Sequence, residues 1–196
     1  LQPLRIVPEA YGRFRNHKWN QVITVLSFEF TILDWIQANL RNPIMDLLMP
    51  VITTLGNSGL IWIIRAGILI LMPKYRKVGV AVMAGLVLEV ICCNLVLKPL
   101  VARIRPCDVN TAVQLLIARP DDFSFPSGHT GASFAAVAAL YTSRNRFWIP
   151  SLILAGLISF SRLYLYVHYP TDILAGIAIG VMAGWIGSKL VEVIWK

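Results

Sequence analysis

Three short clusters of polar and ionisable residues interrupt an otherwise apolar sequence. The clusters are Lys98–Pro106, Phe125–Thr130 and Ser161–Asp172. Together they supply cations, a glycine-containing helix start and two histidines, which are groups that can bind a phosphate and transfer it. We therefore expect the three clusters to converge on one phosphate site at one side of a membrane.

The cations and the helix start are the expected phosphate ligands. Lys98, Arg105 and Arg162 can neutralise a phosphate, and a guanidinium can do so with two parallel hydrogen bonds. Ser127 and Gly128 open a predicted helix, whose free backbone N–H groups and positive dipole end favour an anion. The glycine also lets the backbone approach the ligand closely.

Two histidines can divide the work of phosphoryl transfer, because one can attack phosphorus while the other protonates the leaving oxygen. The candidates are His129 and His168. Asp172 follows His168 by four residues and can accept a hydrogen bond from its ring, which would present the opposite nitrogen. Pro170 is expected to begin the last helix, with Asp172 in its first turn.

The spacing of these residues resembles that of the type-2 phosphatidic acid phosphatase superfamily. Its three signatures are Lys, six residues, Arg-Pro; then Pro-Ser-Gly-His; then Ser-Arg, five residues, His, three residues, Asp. All are present between Lys98 and Asp172. The resemblance implies that His168 is the nucleophile, that Asp172 orients it and that His129 is the acid. It also implies five phosphate ligands, which are Lys98, Arg105, Ser127, Gly128 and Arg162.

Arg103 lies outside these signatures, and we interpret it as a contact for the lipid headgroup. No acidic cluster suited to magnesium occurs among the matched residues, so the chemistry is expected to need neither a metal nor another cofactor. Vanadate-dependent haloperoxidases carry the same signatures, but they are soluble proteins, and the apolar spans of this chain argue against that function.

The composition indicates a membrane protein. The chain has 196 residues, of which 57% are hydrophobic and 14% charged, and its mean hydropathy is +0.66. Its net charge of +8 does not indicate a nucleic-acid partner, because the basic residues are scattered between apolar runs without interleaved aromatics. Membrane lipids and a lipid phosphate substrate are the expected partners.

Five segments are apolar enough for membrane helices, so we predict an all-α, polytopic transmembrane helix bundle. They are approximately Asn57–Met72, Arg76–Leu97, Ser127–Ser143, Trp148–Tyr166 and Thr171–Trp195. The loop 98–126 would carry much of the active site. Basic residues in the short loops favour a cytoplasmic location for the side opposite this loop. Arg65 and Glu89 are expected to meet within the bundle as a buried ion pair.

The N-terminal region is less regular. We divide the chain into a polar, amphipathic segment 1–27 and a single membrane phosphatase domain 28–196. Val22–Leu40 is apolar at helical spacing but carries Glu29 and Asp34. An interfacial amphipathic helix is therefore the first interpretation, and a sixth span is the alternative. Compared with larger members of the superfamily, the chain lacks a clear first membrane helix here.

The favoured function is hydrolysis of a lipid pyrophosphate or monophosphate through a phosphohistidine, at the outer face of a bacterial cytoplasmic membrane. Polyprenyl pyrophosphate is the first substrate because small bacterial relatives often recycle it, and phosphatidic acid or phosphatidylglycerophosphate is the alternative. A membrane protein that only binds or transports lipid phosphates is a further alternative. Binding alone would not require an aligned nucleophile.

Overall fold

The structure is a computed structural model that describes the backbone of residues 17–195 and the side chains of residues 27–195. Residues 1–16 of the predicted N-terminal segment lie outside the described residues. Helices are the only regular elements in the described part of the chain, as predicted. They are α1 His17–Leu40, α2 Pro43–Leu55, α3 Leu60–Leu71, α4 Arg76–Val90, α5 Lys98–Val101, α6 Pro106–Val109, α7 Gly128–Thr142, α8 Trp148–Tyr164 and α9 Pro170–Ile194.

The helices are those of an integral membrane protein, but the predicted count of five spans is not confirmed. Two described stretches, Pro73–Val109 and Pro170–Ile194, are long and apolar enough to cross a membrane. The pair α2 and α3, bent by 47°, would add a third. The helices α7 and α8 have 15 and 17 residues, fewer than the roughly 20 that a full span needs.

The centre of the bundle is built from small residues that let helix backbones touch. Most of α7 is buried, and alanine predominates among its buried residues. A Cβ atom at Gly176 of α9 would lie 2.8 Å from the backbone oxygen of Ser127. Small residues are the usual means of close helix packing in membranes, where apolar side chains gain little by leaving lipid. This packing fixes the start of α7 against the start of α9.

A π-helix, Ile91–Leu97, continues α4 and leads directly into Lys98. Such widened turns are frequent at functional sites because they shift the direction of the following side chains. The segment that follows contains the short helices α5 and α6 and reaches α7 at Ser127. The active-site loop is therefore bounded by the first two signatures.

The helix α1 is longer than the predicted Val22–Leu40, and its Glu29 is buried beside the start of α9. Its first turns lack acidic residues, and α1 is not among the helices that qualify as candidate spans. The choice between an interfacial helix and a sixth span therefore stays a prediction.

The predicted ion pair between Arg65 and Glu89 is wrong. Arg65 points instead to the loop before α8, where it donates a hydrogen bond of 3.3 Å to the backbone oxygen of Phe147. Its guanidinium also lies 5.5 Å from the centre of the Phe147 ring. A long arginine side chain can reach polar groups at a helix end, which removes the need for a partner inside the bundle. Glu89 packs against Gly131.

Candidate active site

Six of the eight predicted site residues line one cavity of about 480 Å³. We call this space the cation cavity. It lies where the end of α2, the loop 98–126, the beginning of α7 and the segment from the end of α8 to His168 meet. The six residues are Lys98, Arg105, Gly128, His129, Arg162 and His168. The other two, Ser127 and Asp172, are fully buried next to it.

His168 lies in the loop between α8 and α9 and is 1% exposed. Its Nε2 atom is 3.1 Å from a guanidinium nitrogen of Arg105, and its Nδ1 atom is 3.4 Å from Oδ2 of Asp172. Burial, followed by the charges of Arg105 and Arg162, lowers the pKa of His168 well below its usual value. The ring is therefore neutral at neutral pH, which is the state that a nucleophile requires.

Asp172 lies on the Nδ1 side of this imidazole, and both of its carboxylate oxygens accept hydrogen bonds from other groups. Its Oδ2 atom accepts hydrogen bonds from the Ser124 hydroxyl at 2.6 Å and from the Tyr169 backbone N–H at 2.9 Å. Its Oδ1 atom accepts one from Arg103 at 2.6 Å. The contact with His168 is longer than the hydrogen bond that we expected, because these donors hold the carboxylate in place. Asp172 can still fix the orientation of the ring.

Arg103 is 20% exposed, but its guanidinium is bound by groups of the protein, which does not support our interpretation of it as a headgroup contact. It binds Glu29 as well as Asp172, and its guanidinium lies 3.9 Å from the centre of the Tyr169 ring. Thr171 donates a further hydrogen bond to Glu29. We call Glu29, Arg103 and Asp172 the rear network. The signal for it was Glu29, an acidic residue in an apolar segment, which needs a cation to be buried.

Two cations of the cavity, Lys98 and Arg105, bind the same carboxylate, that of Asp122. Burial by itself would raise the pKa of Asp122, but the hydrogen bond from Lys98 and the charge of Arg105 outweigh this and lower it to about 2. Arg162 instead donates a hydrogen bond of 2.8 Å to the Thr53 hydroxyl. No sequence signature pointed to Asp122 or Thr53.

The second signature contributes in two ways. His129 lies in the first turn of α7, and its Nε2 atom is 2.9 Å from Oδ1 of Asn57. The backbone N–H of Ser127 is not free for a phosphate, because it donates to the backbone oxygen of Asp172 at 3.1 Å. The Ser127 hydroxyl accepts a hydrogen bond from Thr130. Ser127 therefore joins α7 to α9, whereas Gly128 faces the cavity.

This arrangement can bind a tetrahedral anion between three cations, beside a neutral imidazole. Among the side chains of residues 27–195, no three of histidine, cysteine, aspartate or glutamate converge in a way that could hold a metal ion. The imidazoles and cations of the cavity suit nucleophilic and acid chemistry.

Comparisons with known proteins give the same picture. The family model described as the PAP2 superfamily matches residues 77–196, which include all three signatures. The chain is 34% identical over 134 residues to an undecaprenyl-diphosphatase of Sulfolobus acidocaldarius, in an alignment covering 68% of this chain and 63% of the relative. It thus spans just under two thirds of that relative. A lipid A 4′-phosphatase of Bacteroides thetaiotaomicron is 31% identical, with coverages of 75% and 70%.

One solved structure resembles most of the fold. It is the first transmembrane PAP2 type phosphatidylglycerolphosphate phosphatase from Bacillus subtilis, with a TM-score of 0.71 and 25% identity. The likeness covers 87% of this chain and 88% of that chain. The match to the family model begins within α4, so α1, α2 and α3 lie outside that part of the sequence.

Proposed function

The chain belongs to the PAP2 superfamily, and on that premise we propose that it is a membrane phosphatase that removes phosphate from a lipid pyrophosphate or monophosphate. The observation that carries this proposal is the position of His168. One nitrogen of its neutral ring contacts Arg105 in a cavity that Lys98 and Arg162 also line, and the other faces a carboxylate that is itself fixed by three donors.

The first half of the reaction forms a phosphohistidine. Nε2 of His168 attacks phosphorus while the bond from phosphorus to the leaving oxygen breaks, and His129 gives a proton to that oxygen. In the resting site Arg105 donates to the Nε2 lone pair. The phosphate must draw this guanidinium to its own oxygens before attack, so substrate binding also frees the nucleophile.

The second half releases inorganic phosphate. Water attacks the phosphohistidine, the N–P bond breaks, and His129, now neutral, accepts the proton of the water. Lys98, Arg105 and Arg162 hold the transferred group throughout, with Gly128 giving the backbone room. Charges that are already in place stabilise the pentacoordinate transition state, and each such donor can be worth about 3 kcal/mol.

Polyprenyl pyrophosphate is the substrate that we favour, and the relative named undecaprenyl-diphosphatase supports it. The alternative is phosphatidic acid or phosphatidylglycerophosphate, which the name of the Bacillus subtilis structure supports in part. The cavity residues contact the phosphate and not the tail. We place the site at the outer face of a bacterial cytoplasmic membrane, from the distribution of basic residues in the loops.

The test is phosphate release in detergent from polyprenyl pyrophosphate, phosphatidic acid and phosphatidylglycerophosphate, with His168→Ala as the paired variant. We expect turnover of at least one substrate that persists in a chelator, is inhibited by vanadate and is lost in His168→Ala. Loss of activity in chelator alone would contradict the metal-free mechanism. A protein that binds these lipids but releases no phosphate, even in a single turnover, would favour the binding or transport alternative.

A further inference from the structure

The break between α2 and α3 is a feature that the three signatures do not explain. It consists of Gly56, Asn57, Ser58 and Gly59, and it lies outside the match to the family model. Ser58 and Gly59 both have left-handed backbone conformations, with φ of 51° and 66°. A non-glycine residue rarely adopts this conformation, and where it does so the surrounding structure must hold it in place.

The break makes room for the ring of His129. A Cβ atom at Gly56 would lie 2.8 Å from Cδ2 of that ring and 2.9 Å from a methyl group of Ile158, so a larger residue would displace one of them. Asn57, the next residue, contacts the ring directly, with its Oδ1 atom 2.9 Å from Nε2. Asn57 also lines the cation cavity.

The backbone of His129 is tied to the same region. Its carbonyl oxygen accepts a hydrogen bond of 2.7 Å from the Ser133 hydroxyl, which in turn accepts one of 3.0 Å from the indole N–H of Trp62. Trp62 is fully buried in α3, just after the break. The segment 56–62 therefore fixes both the main chain and the ring of His129.

The charges around His129 make this contact chemically useful. Burial, followed by the cations of the cavity, disfavours a positive charge on the ring, and the Asp122 carboxylate is already bound by two of these cations. The charged and titratable groups that line the cavity around this ring are Lys98, Arg105, Arg119, Asp122, Arg162 and His168. An amide oxygen that accepts a hydrogen bond from Nε2–H favours the protonated imidazole without adding a charge.

We propose that Asn57 is a positioning residue that holds His129 in the orientation and protonation state of the leaving-group acid. The inference rests on the proposed function. With Nε2–H held by Asn57, the proton for the leaving oxygen comes from the other ring nitrogen. After the transfer His129 stays in the Nε2–H form, ready to accept a proton from water in the second half.

The experiment compares two leaving groups that differ in their need for a proton. The leaving group of phosphatidic acid is the diacylglycerol alkoxide, which must be protonated. The leaving group of p-nitrophenyl phosphate is p-nitrophenolate, which is stable without a proton. General acid catalysis is worth about 10²–10⁴ in rate. We expect Asn57→Ala to lower kcat/KM about 30-fold or more for phosphatidic acid, but less than about 3-fold for p-nitrophenyl phosphate. Asn39→Ala, whose exposed amide only contacts its own helix, is the matched control and should change neither.

Asn57→Asp is the second variant and does not depend on whether Asn57→Ala folds. It keeps an oxygen acceptor and adds a negative charge, so it should retain the ratio between the two substrates. A nearby carboxylate raises the pKa of an imidazole, and the acid works in its protonated form. The alkaline limb of the phosphatidic acid profile should therefore move to higher pH.

Equal losses on both substrates in Asn57→Ala, or none on either, would overturn the inference, as would an unchanged alkaline limb in Asn57→Asp. These results leave the proposed function standing as long as the native chain releases phosphate and His168→Ala does not. If the native chain releases phosphate from none of polyprenyl pyrophosphate, phosphatidic acid and phosphatidylglycerophosphate, the proposed function itself is wrong.

Discussion

The two sides of the His168 ring are built in opposite ways. Behind it, in the rear network, two carboxylates share the single guanidinium of Arg103, and both carboxylates are buried, whereas Arg103 is partly exposed. Every oxygen of Asp172 has a donor other than the histidine. Because the groups of this network already have their hydrogen-bond partners, we expect the network to keep its arrangement when a substrate binds.

In front of the ring, two of the three cations, Lys98 and Arg105, share the carboxylate of Asp122, and this group opens to the cavity. Arg162 donates to the Thr53 hydroxyl and forms no ion pair within the part of the chain that the structure describes, so an anion from outside can complete the group. On one side of the imidazole the groups therefore keep their partners, whereas on the other side the cations can change partners when an anion binds. Variants on the two sides should therefore affect different kinetic constants.

Asp172→Asn is expected to have the largest effect, because it removes the carboxylate that faces Nδ1 while keeping the size of the side chain. An amide in this place can turn its N–H₂ group toward the ring and favour the wrong tautomer. We expect kcat to fall about 10³–10⁴-fold, as for the carboxylate of a catalytic triad. Phosphate release measures it, with the exposed Asp121→Asn as the control. A change in KM with an unchanged kcat would contradict the difference that we describe between the two sides of the His168 ring.

Arg105→Lys tests the side of the His168 ring that faces the cation cavity. Lysine keeps the charge but cannot contact two phosphate oxygens in one plane, nor reach the backbone oxygens of Asp122 and Val167 that hold the guanidinium. We expect kcat/KM to fall about 10²-fold, which is the typical cost of one lost transition-state donor. The exposed Arg146→Lys should behave as the native chain. Full activity in Arg105→Lys would mean that charge alone suffices.

Glu29→Gln sharpens the account of the rear. Arg103 would keep Asp172 as its only anionic partner, and a neutral amide would replace the buried carboxylate. We expect a fall of about 10-fold in kcat with KM unchanged, and a loss of about 1–3 kcal/mol in the free energy of unfolding. Kinetics and thermal unfolding in detergent measure both. A raised KM with native kcat would place Glu29 in substrate binding.

Asp122→Asn should have the smallest effect and the opposite sign. The carboxylate competes with phosphate for Lys98 and Arg105, so its neutralisation should lower KM and strengthen inhibition by phosphate about 3-fold. Asp121→Asn, one residue away, should leave both constants unchanged. Weaker phosphate inhibition in Asp122→Asn would show that this carboxylate orients the cations and does not compete for them.

The residues that line the cavity could largely be predicted from the sequence, because they belong to signatures with fixed spacing. The PAP2 superfamily is confirmed, and the helix that begins at Pro170 places His168 outside it and Asp172 in its first turn, as predicted. The short distance between His168 and Asp172 follows from local rules. A proline fixes where a helix starts, and four residues of helix bring an aspartate back toward the preceding histidine.

The remaining contacts join residues far apart in the chain, and no local pattern determines them. Asn57 reaches His129 across 72 positions, and Glu29 reaches Arg103 across 74. The pairing of Arg65 with Glu89 was wrong for the same reason, because two charges at similar heights in a bundle can face different neighbours. Side-chain direction is set by the packing of all helices together, which periodicity alone does not specify.

The most direct measurement of the central claim is a search for the phosphoenzyme. The purified chain would be mixed with lipid substrate labelled in its terminal phosphate, quenched during turnover and digested, and the labelled peptide identified. The account predicts a phosphate that is stable in base and labile in acid, carried by His168 and absent in His168→Ala. Label on another residue, or native turnover in His168→Ala, would contradict it.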